Sequence, residues 1–220
     1  MASRRASRAF AAVVATVAWT AVLLQGYLSI RAMVHQGGTV LDGIIVYLGY
    51  FTVLTNILVC VSLSLMLMAK SSVAGRFVSR ADVCAGIATN IAFVALAYHF
   101  LLRASWSPQG PQWIADVLLH YMVPVLYLLY WWFISSKGSL RWTGPLWWSA
   151  YPAVYLVYAL ARGEIIDRYP YPFIDVAAIG FAQTLRNALG LLLAFIVLGV
   201  ALVLVDRAKR LRVGYGDSNE

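Results

Sequence analysis

The sequence predicts an all-α membrane protein, a polytopic bundle of six transmembrane helices, and three observations carry that prediction. Hydrophobic residues make up 62% of the 220 residues and charged residues only 12%, whereas about a quarter of the residues in a soluble domain are charged. Stretches with almost no charge recur along the chain, and each has the roughly 20 apolar residues that a spanning helix needs. None of these stretches alternates steadily between apolar and polar residues, which excludes the strands of a transmembrane barrel.

Six stretches qualify as spans. Their predicted bounds are 9–30, 43–69, 83–102, 113–134, 142–161 and 187–205. Residues 1–8 then form an N-terminal segment, 9–205 the six-helix transmembrane domain and 206–220 a C-terminal tail. The first span starts like a signal peptide, but it is longer than the usual apolar region and lacks a clear cleavage site. We therefore expect it to stay in place as an anchor.

Lysines and arginines predict which side of the membrane each connecting segment faces. With a cytoplasmic N-terminus, the inner segments hold Arg4, Arg5, Arg8, Lys70, Arg76, Arg80, Lys137, Arg141, Arg207, Lys209, Arg210 and Arg212. The outer segments hold Arg31, Arg103, Arg162, Arg168 and Arg186. This excess on the inner side predicts that both termini are cytoplasmic and that the protein lies in the cytoplasmic membrane, as a multi-pass protein.

The net charge of +8 does not indicate nucleic-acid binding in this chain. Its cations lie in short segments between spans, and no basic stripe with interleaved aromatic residues occurs. Cys60 and Cys84 fall inside spans, far from any histidine cluster, so we expect buried thiols rather than disulfides or a metal site. No cofactor, metal or nucleic-acid partner is predicted. The expected partners are membrane lipids and a lipid-ester substrate, with homo-oligomerisation left open.

Polar side chains inside two of the spans form the candidate site. Thr52, Thr55 and Asn56 have the spacing i, i+3 and i+4, so they share one face of the second span. Asp116 and His120 are four residues apart and share one face of the fourth span. From the rise of a helix, Thr52 lies about 13 Å and His120 about 10 Å below the outer ends of their spans. The two residues are therefore predicted to share a layer in the outer half of the membrane.

These residue types could serve nucleophilic catalysis. A threonine hydroxyl needs an adjacent base, most often histidine, and a third group such as Asp116 orients that histidine. Asn56, or Asn90 in the third span, could stabilise an oxyanion, and His99 near the outer end of that span is a second histidine. The same polar layer could instead join helices, hold a lipid head group or pass protons.

The longest predicted connection, Arg162–Thr184, faces outside and contains the sequence YPYPF at Tyr169–Phe173. Each proline keeps the residue before it extended, so this segment is not helical throughout. It could anchor the chain at the membrane interface, where tyrosine is enriched. The alternative is a lid across the outer mouth of the bundle.

Three runs, YFTVLTN, LLHYMVP and YPYPFIDV, resemble a bacterial family of predicted six-transmembrane membrane proteins. The resemblance extends from about Phe10 to Val205 and is most specific at Tyr169–Val176. That family carries an acidic residue before a tryptophan in the segment after His-Tyr-x-x-Pro, where this chain has Tyr130 before Trp131.

The bacterial group is similar, more distantly, to the eukaryotic androgen-induced and androgen-dependent TFPI-regulating proteins. Those are integral-membrane hydrolases that use a threonine and a histidine to cleave fatty acid esters of hydroxy fatty acids. Their threonine lies in a Tyr-Leu-Thr-Phe context, which Thr52 in YFTV matches best and Thr55 less well. Their histidine precedes a segment with Leu-Pro, which His120 followed by Pro124 matches and His99 does not.

The residues and the resemblance together predict an intramembrane lipid-ester hydrolase with Thr52 as nucleophile and His120 as general base. Asp116 would orient the histidine. Arg103 or Arg186 would bind a substrate carboxylate, unless these side chains only extend to the interface. The resemblance implies fatty acid esters of hydroxy fatty acids as substrates. The alternative is a non-enzymatic lipid-binding or transport protein of the membrane.

Overall fold

The computed structural model describes residues 4–216, with side chains up to Lys209, and all of the regular elements in that range are helices. Five helical stretches within it are long and apolar enough to cross a membrane. They are Arg4–His35, Phe51–Met68, Ala81–Ser105, Pro111–Ile134 and Phe181–Lys209. An all-helical, multi-pass architecture is therefore as predicted. Of the predicted terminal segments, residues 1–3 and 217–220 lie outside the described residues.

The helices follow one another along the chain with short connections. The first five are α1 (Arg4–His35), α2 (Val40–Tyr47), α3 (Phe51–Met68), α4 (Val73–Val78) and α5 (Ala81–Ala97). The others are α6 (Pro111–Val117), α7 (Val123–Ile134), α8 (Gly144–Trp148), α9 (Ala150–Ile166), α10 (Val176–Ile179) and α11 (Phe181–Gly216). Irregular helical turns at Tyr98–Leu102 (π), Arg103–Ser105 (3₁₀), Leu118–Met122 (π) and Pro172–Ile174 (3₁₀) extend or join them.

The second predicted span is interrupted between α2 and α3. In an uninterrupted helix, the backbone carbonyls at this point would accept hydrogen bonds from backbone N–H groups. Here they accept hydrogen bonds from side chains of α9 instead. Tyr155 donates to the carbonyl of Gly49 at 2.9 Å, and Arg162 donates to that of Ile45 at 3.0 Å. Such partners are needed because an unsatisfied backbone group is costly in an apolar bundle.

The fifth predicted span, residues 142–161, is likewise not one helix. It is divided between α8 and α9, which meet at Ser149. Pro152 has no N–H and cannot donate to the carbonyl of Trp148, so the hydrogen-bond ladder is interrupted at this point. The sixth predicted span is extended instead: α11 runs from Phe181 to Gly216 and includes the first part of the predicted tail.

Small residues let the central helices approach closely, as membrane helices require. The buried face of α1 consists largely of alanine, for example Ala15, Ala18 and Ala21. On α2, a Cβ added to Gly43 would lie 2.7 Å from the Cα of Ile30, so this crossing with α1 depends on glycine. Helices α3 and α7 pack against α1, and α5 packs against α3 and α7.

Large apolar side chains cover the outside of α11 as well as its core side, where Phe195 is fully buried. Leu185, Leu189, Leu193 and Val197 recur every four residues and are about half exposed or more. On a helix this spacing forms one continuous stripe. Such a stripe is what a helix presents to lipid tails.

The connecting segments meet at two ends of the bundle. Gln36, Trp106 and Arg168, from three segments predicted to be outside, line a single cavity at one end. At the other end, Asp206 of α11 accepts a hydrogen bond from the backbone N–H of Leu140 at 3.2 Å. Helices α8 and α9 lie in the chain between Leu140 and Arg168.

Candidate active site

A cavity of about 400 Å³ lies among α1, the break before α3, and α6. Thr52, Asp116 and His120 all line it. The structure therefore brings together three side chains that the sequence analysis selected. Gln25 of α1 and Gln112 of α6 also line this cavity and are joined by a hydrogen bond of 2.8 Å.

Asp116 and His120 form a cluster with Tyr98, in which Asp116 and Tyr98 are buried and His120 is partly buried. The His120 Nδ1 atom lies 3.0 Å from the Asp116 main-chain oxygen and 3.2 Å from the carboxylate Oδ1. The Tyr98 hydroxyl donates to the other carboxylate oxygen at 2.6 Å. The rings of Tyr98 and His120 are stacked, with centroids 3.7 Å apart and planes 15° from parallel. The imidazole is therefore held at one nitrogen and on one face.

Both aromatic members of this cluster lie on π-helical turns. Tyr98 begins one turn and His120 lies at the centre of the other. In the second turn, the N–H of Val123 bonds to the carbonyl of Leu118, five residues earlier. Pro124 follows directly and has no N–H for the His120 carbonyl, which favours this wider turn. Such turns shift the side-chain register of a membrane helix by one residue.

Thr52 lies in the first turn of α3, where helix geometry leaves backbone N–H groups without helical partners. Its own N–H donates to the hydroxyl of Tyr171 at 3.3 Å. Tyr171 belongs to the YPYPF sequence, is 9% exposed and stacks on Phe173 at 5.1 Å. Burial raises the pKa of Tyr171 to about 12, so its hydroxyl keeps its proton at neutral pH. The YPYPF segment thus reaches into the bundle beside Thr52.

The rival nucleophile Thr55 is fully buried and lines none of the described cavities. Its hydroxyl donates to that of Tyr151 at 3.5 Å. Asn56 donates to the carbonyls of Thr52, at 2.8 Å, and Leu119, at 3.3 Å. It therefore ties the start of α3 to the residue that precedes His120.

The two asparagines predicted as oxyanion donors have other partners. The side-chain amide of Asn56 is bonded to two backbone carbonyls, as described above. That of Asn90 donates to the carbonyl of Gly86 on its own helix at 2.9 Å. Asparagine in an apolar helix bonds to the nearest carbonyls, because the alternative is an unsatisfied amide.

The predicted carboxylate-binding arginines do not line the cavity. Arg186 is exposed, and Arg103 lines a separate vestibule of about 550 Å³ on the far side of Asp116. Arg168 lines the cavity instead. His99 is exposed, and its Nδ1 lies 3.3 Å from the hydroxyl of Tyr121. The π turn carries His99 away from the site while it turns Tyr98 inward.

The site contains side chains that were not among the sequence candidates, including Tyr98, Tyr171, Arg168, Gln25 and Gln112. The sequence does not single out Tyr98, because tyrosine is common near membrane interfaces and a histidine follows it directly. Tyr171 and Arg168 belong to the loop that was predicted as anchor or lid. Only the lid alternative pointed to a contact with the site.

Among the described residues, no hydrogen bond joins the Thr52 hydroxyl to His120, although both side chains line the same cavity. A substrate group placed between the two side chains could bring the Thr52 hydroxyl into contact with His120, because the hydrogen bonds of a catalytic site are often long before substrate binds.

No family model, curated protein or solved structure matches this chain. Its function is therefore inferred from the site.

Proposed function

We propose that the protein is an intramembrane lipid-ester hydrolase in which Thr52 is the nucleophile and His120 the general base. One observation carries the proposal: Thr52 and the buried Asp116–His120 pair line the same cavity. A weak hydroxyl nucleophile, a base and a group that orients the base are what acyl transfer to a side chain requires.

The contacts of His120 support different roles for its two ring nitrogens, Nδ1 and Nε2. With the proton on Nδ1, the ring donates to Asp116, and Nε2 remains free to accept. Nε2 would take the Thr52 proton as Oγ1 attacks the ester carbonyl, then return it to the departing alcohol oxygen. Water, deprotonated by the same nitrogen, would release the acid from the acyl-threonine and restore the hydroxyl.

Hydrogen-bond donors at the start of α3 support the proposal that the oxyanion forms next to Thr52. The backbone N–H groups of the first helical turn face no helical partner and carry the positive end of the helix dipole. The neutral hydroxyl of Tyr171 is held next to Thr52 by the bond that it accepts. The Tyr171 hydroxyl accepts from the Thr52 N–H and keeps its own proton, which it would donate to the oxyanion in place of the two bonded asparagine amides.

We further propose six passes with both termini in the cytoplasm. Helices α8 and α9 would form the fifth pass. Leu140 bonds to Asp206 in the later part of α11, whereas Arg168 lines the cavity, and these different positions support the proposal. The excess of lysine and arginine in the inner segments supports the orientation. The site would then face the outer leaflet of the cytoplasmic membrane.

Binding or transport of a lipid without chemistry is the second candidate. The absence of a direct hydrogen bond between the Thr52 hydroxyl and His120 in the described residues favours it, as does the apolar surface of the cavities. In that case the polar cluster would hold a head group.

The test is ester hydrolysis by purified protein in lipid nanodiscs, with an aryl acyl ester and a branched fatty ester. Thr52→Ala and His120→Ala should each lower turnover by orders of magnitude, and the double variant should be little worse, because the two groups act as a unit. Thr52→Ser should retain part of the activity. Removing one hydroxyl costs at most about 1–2 kcal/mol of stability, so the variants should fold.

Thr55→Ala is the matched control, since it removes the same hydroxyl one helical turn away. It should leave turnover close to that of the wild type. Undiminished turnover in Thr52→Ala, or no hydrolysis of either ester by the wild type, would favour lipid binding or transport.

A further inference from the structure

A second chamber of about 320 Å³ lies beside the catalytic cavity, among α3, α5, α9 and α11. Its lining is almost wholly apolar, with Phe93, Leu156, Leu192 and Phe195 among the contributors. None of the described residues that line it carries a charge. The chamber thus offers dispersion and hydrophobic contacts but no site for a charged group.

The two chambers are adjacent at the proposed nucleophile. Thr52, Tyr98, Leu102 and Tyr171 line both of them. On the other side of this boundary, the catalytic cavity is lined by glutamine, serine and arginine side chains. A molecule that reaches across Thr52 would therefore have one polar half and one apolar half.

The apolar chamber also reaches the outside of the bundle. Val157 of α9 and Leu189 of α11 both line it, yet they are 69% and 57% exposed. Leu189 belongs to the apolar stripe of α11 that faces lipid. A side opening between α9 and α11 would connect the chamber to the tails of the bilayer.

We propose that this chamber binds the acyl chain of the substrate, which enters from the bilayer between α9 and α11. The proposal rests on the proposed function, because it puts the ester carbonyl at Thr52. The acyl chain lies in the apolar chamber, and the alcohol half lies in the polar cavity beside Gln25, Gln112 and Arg168. The acyl carbon forms its bond to Thr52 Oγ1 as its bond to the alcohol oxygen breaks, and the alcohol leaves with the proton from His120.

The size of the chamber suits one chain. Its volume lies at the lower end of the roughly 300–1,000 Å³ of small-molecule pockets. A long acyl chain would therefore extend in part through the side opening into the bilayer.

Ala188 of α11 lines the chamber, and a tryptophan at this position would fill part of it. Ala188→Trp should reduce kcat/KM for p-nitrophenyl laurate by about tenfold or more, because several methylene contacts are lost. The same variant should leave hydrolysis of p-nitrophenyl acetate close to wild type, since the acetyl group does not reach Ala188. Equal losses on both esters, or an undiminished rate on laurate, would overturn the proposal.

Leu193→Trp is the matched control, because it adds the same ring on the lipid-facing side of α11 and outside the chamber. It should leave both rates unchanged. A selective loss on laurate in this control would show that the effect arises in the lipid and not in the chamber, which would also overturn the proposal.

A binding experiment separates this proposal from the hydrolase itself. A long-chain fatty acid with a diazirine near its methyl end should label residues such as Leu156 and Leu192 in Thr52→Ala protein, and Ala188→Trp should abolish that labelling. Labelling of the chamber in a protein that hydrolyses no ester would support the chain site and reject the catalytic role. Hydrolysis without labelling, or labelling confined to the outer stripe of α11, would reject the chain site alone.

Discussion

At the scale of single residues, the imidazole of His120 is restrained in a way that suits a base. Asp116 holds Nδ1 through two oxygens, and the ring of Tyr98 covers one face. The Tyr98 hydroxyl fixes the carboxylate in turn. Each member of the cluster therefore limits the movement of the next, which is how a preorganised site keeps its geometry.

Tyr171→Phe tests whether the hydroxyl of Tyr171 takes part in the reaction. If its hydroxyl stabilises the oxyanion, its loss should lower kcat about a hundredfold with little change in KM. The measurement is steady-state hydrolysis of an aryl acyl ester, with circular dichroism to confirm folding. The loss would have a structural cause if the folded fraction fell in proportion to the rate.

Tyr169→Phe is the control for this prediction, because it removes a hydroxyl from the same YPYPF sequence. The Tyr169 hydroxyl bonds to Glu164 at 3.3 Å, on the exposed side of the loop. Its removal should leave kcat unchanged. An equal fall in both variants would contradict a specific role for Tyr171.

At the scale of elements, the break between α2 and α3 creates the site. Had the second span been one helix, the first N–H groups of α3 would have bonded to carbonyls of α2. The break leaves these groups to partners outside the helix, so the Thr52 N–H donates to Tyr171, and α9 satisfies the carbonyls through Tyr155 and Arg162. Gly49 is needed because the guanidinium lies against it.

Gly49→Ala should therefore destabilise this element. The added Cβ would lie 2.7 Å from Cζ of Arg162 and would displace the guanidinium from the carbonyl of Ile45. We expect a loss of about 1–3 kcal/mol in the free energy of unfolding, since a buried carbonyl loses its partner. Unfolding in mixed micelles with increasing SDS measures this change.

Gly190→Ala is the comparison, because a Cβ at this position of α11 meets nothing within 4 Å. Alanine is favoured over glycine in a helix by up to about 1 kcal/mol, so this variant should be as stable as the wild type or more so. A Gly49→Ala protein that is no less stable than Gly190→Ala would show that the close contact with Arg162 is not needed.

At the scale of the whole molecule, the bundle has two chemically different ends. One end contains the cavity and the outer loops, whereas the other contains Lys137, Arg207 and Lys209, each lying over a tryptophan ring. Burial lowers the pKa of Lys137 to about 8. The concentration of cations at this second end is what the positive-inside rule expects of a cytoplasmic face.

Single cysteines should report this orientation in intact cells. Ser107→Cys, in the loop before α6, should react with a membrane-impermeant maleimide added outside, and Ser71→Cys should react only after lysis. Both serines are exposed, whereas the native Cys60 and Cys84 are buried and give little background. The reverse pattern would invert the topology and put the cavity that contains Thr52 and His120 on the cytoplasmic side.

Much of the architecture was predictable because the membrane imposes local rules on the sequence. Apolar length marks the candidate spans, and helical spacing correctly paired Asp116 with His120 on one face. The same local rules failed at residues 43–69 and 142–161. These rules count apolar residues along the chain. Gly49 and Pro152 lie where the helices are interrupted, but neither makes its stretch less apolar, so the rules predict one continuous helix in each stretch.

The sequence by itself determined the apolar stretches, their approximate ends and the polar residues that lie within them. The tertiary structure alone decided that Thr52 rather than Thr55 lines the cavity, and that Tyr98 and Tyr171 join the site. Tyr171 reaches Thr52 across 119 residues of chain. The physical reason is that periodicity describes one helix at a time, whereas the partner of a polar side chain depends on which helices pack together.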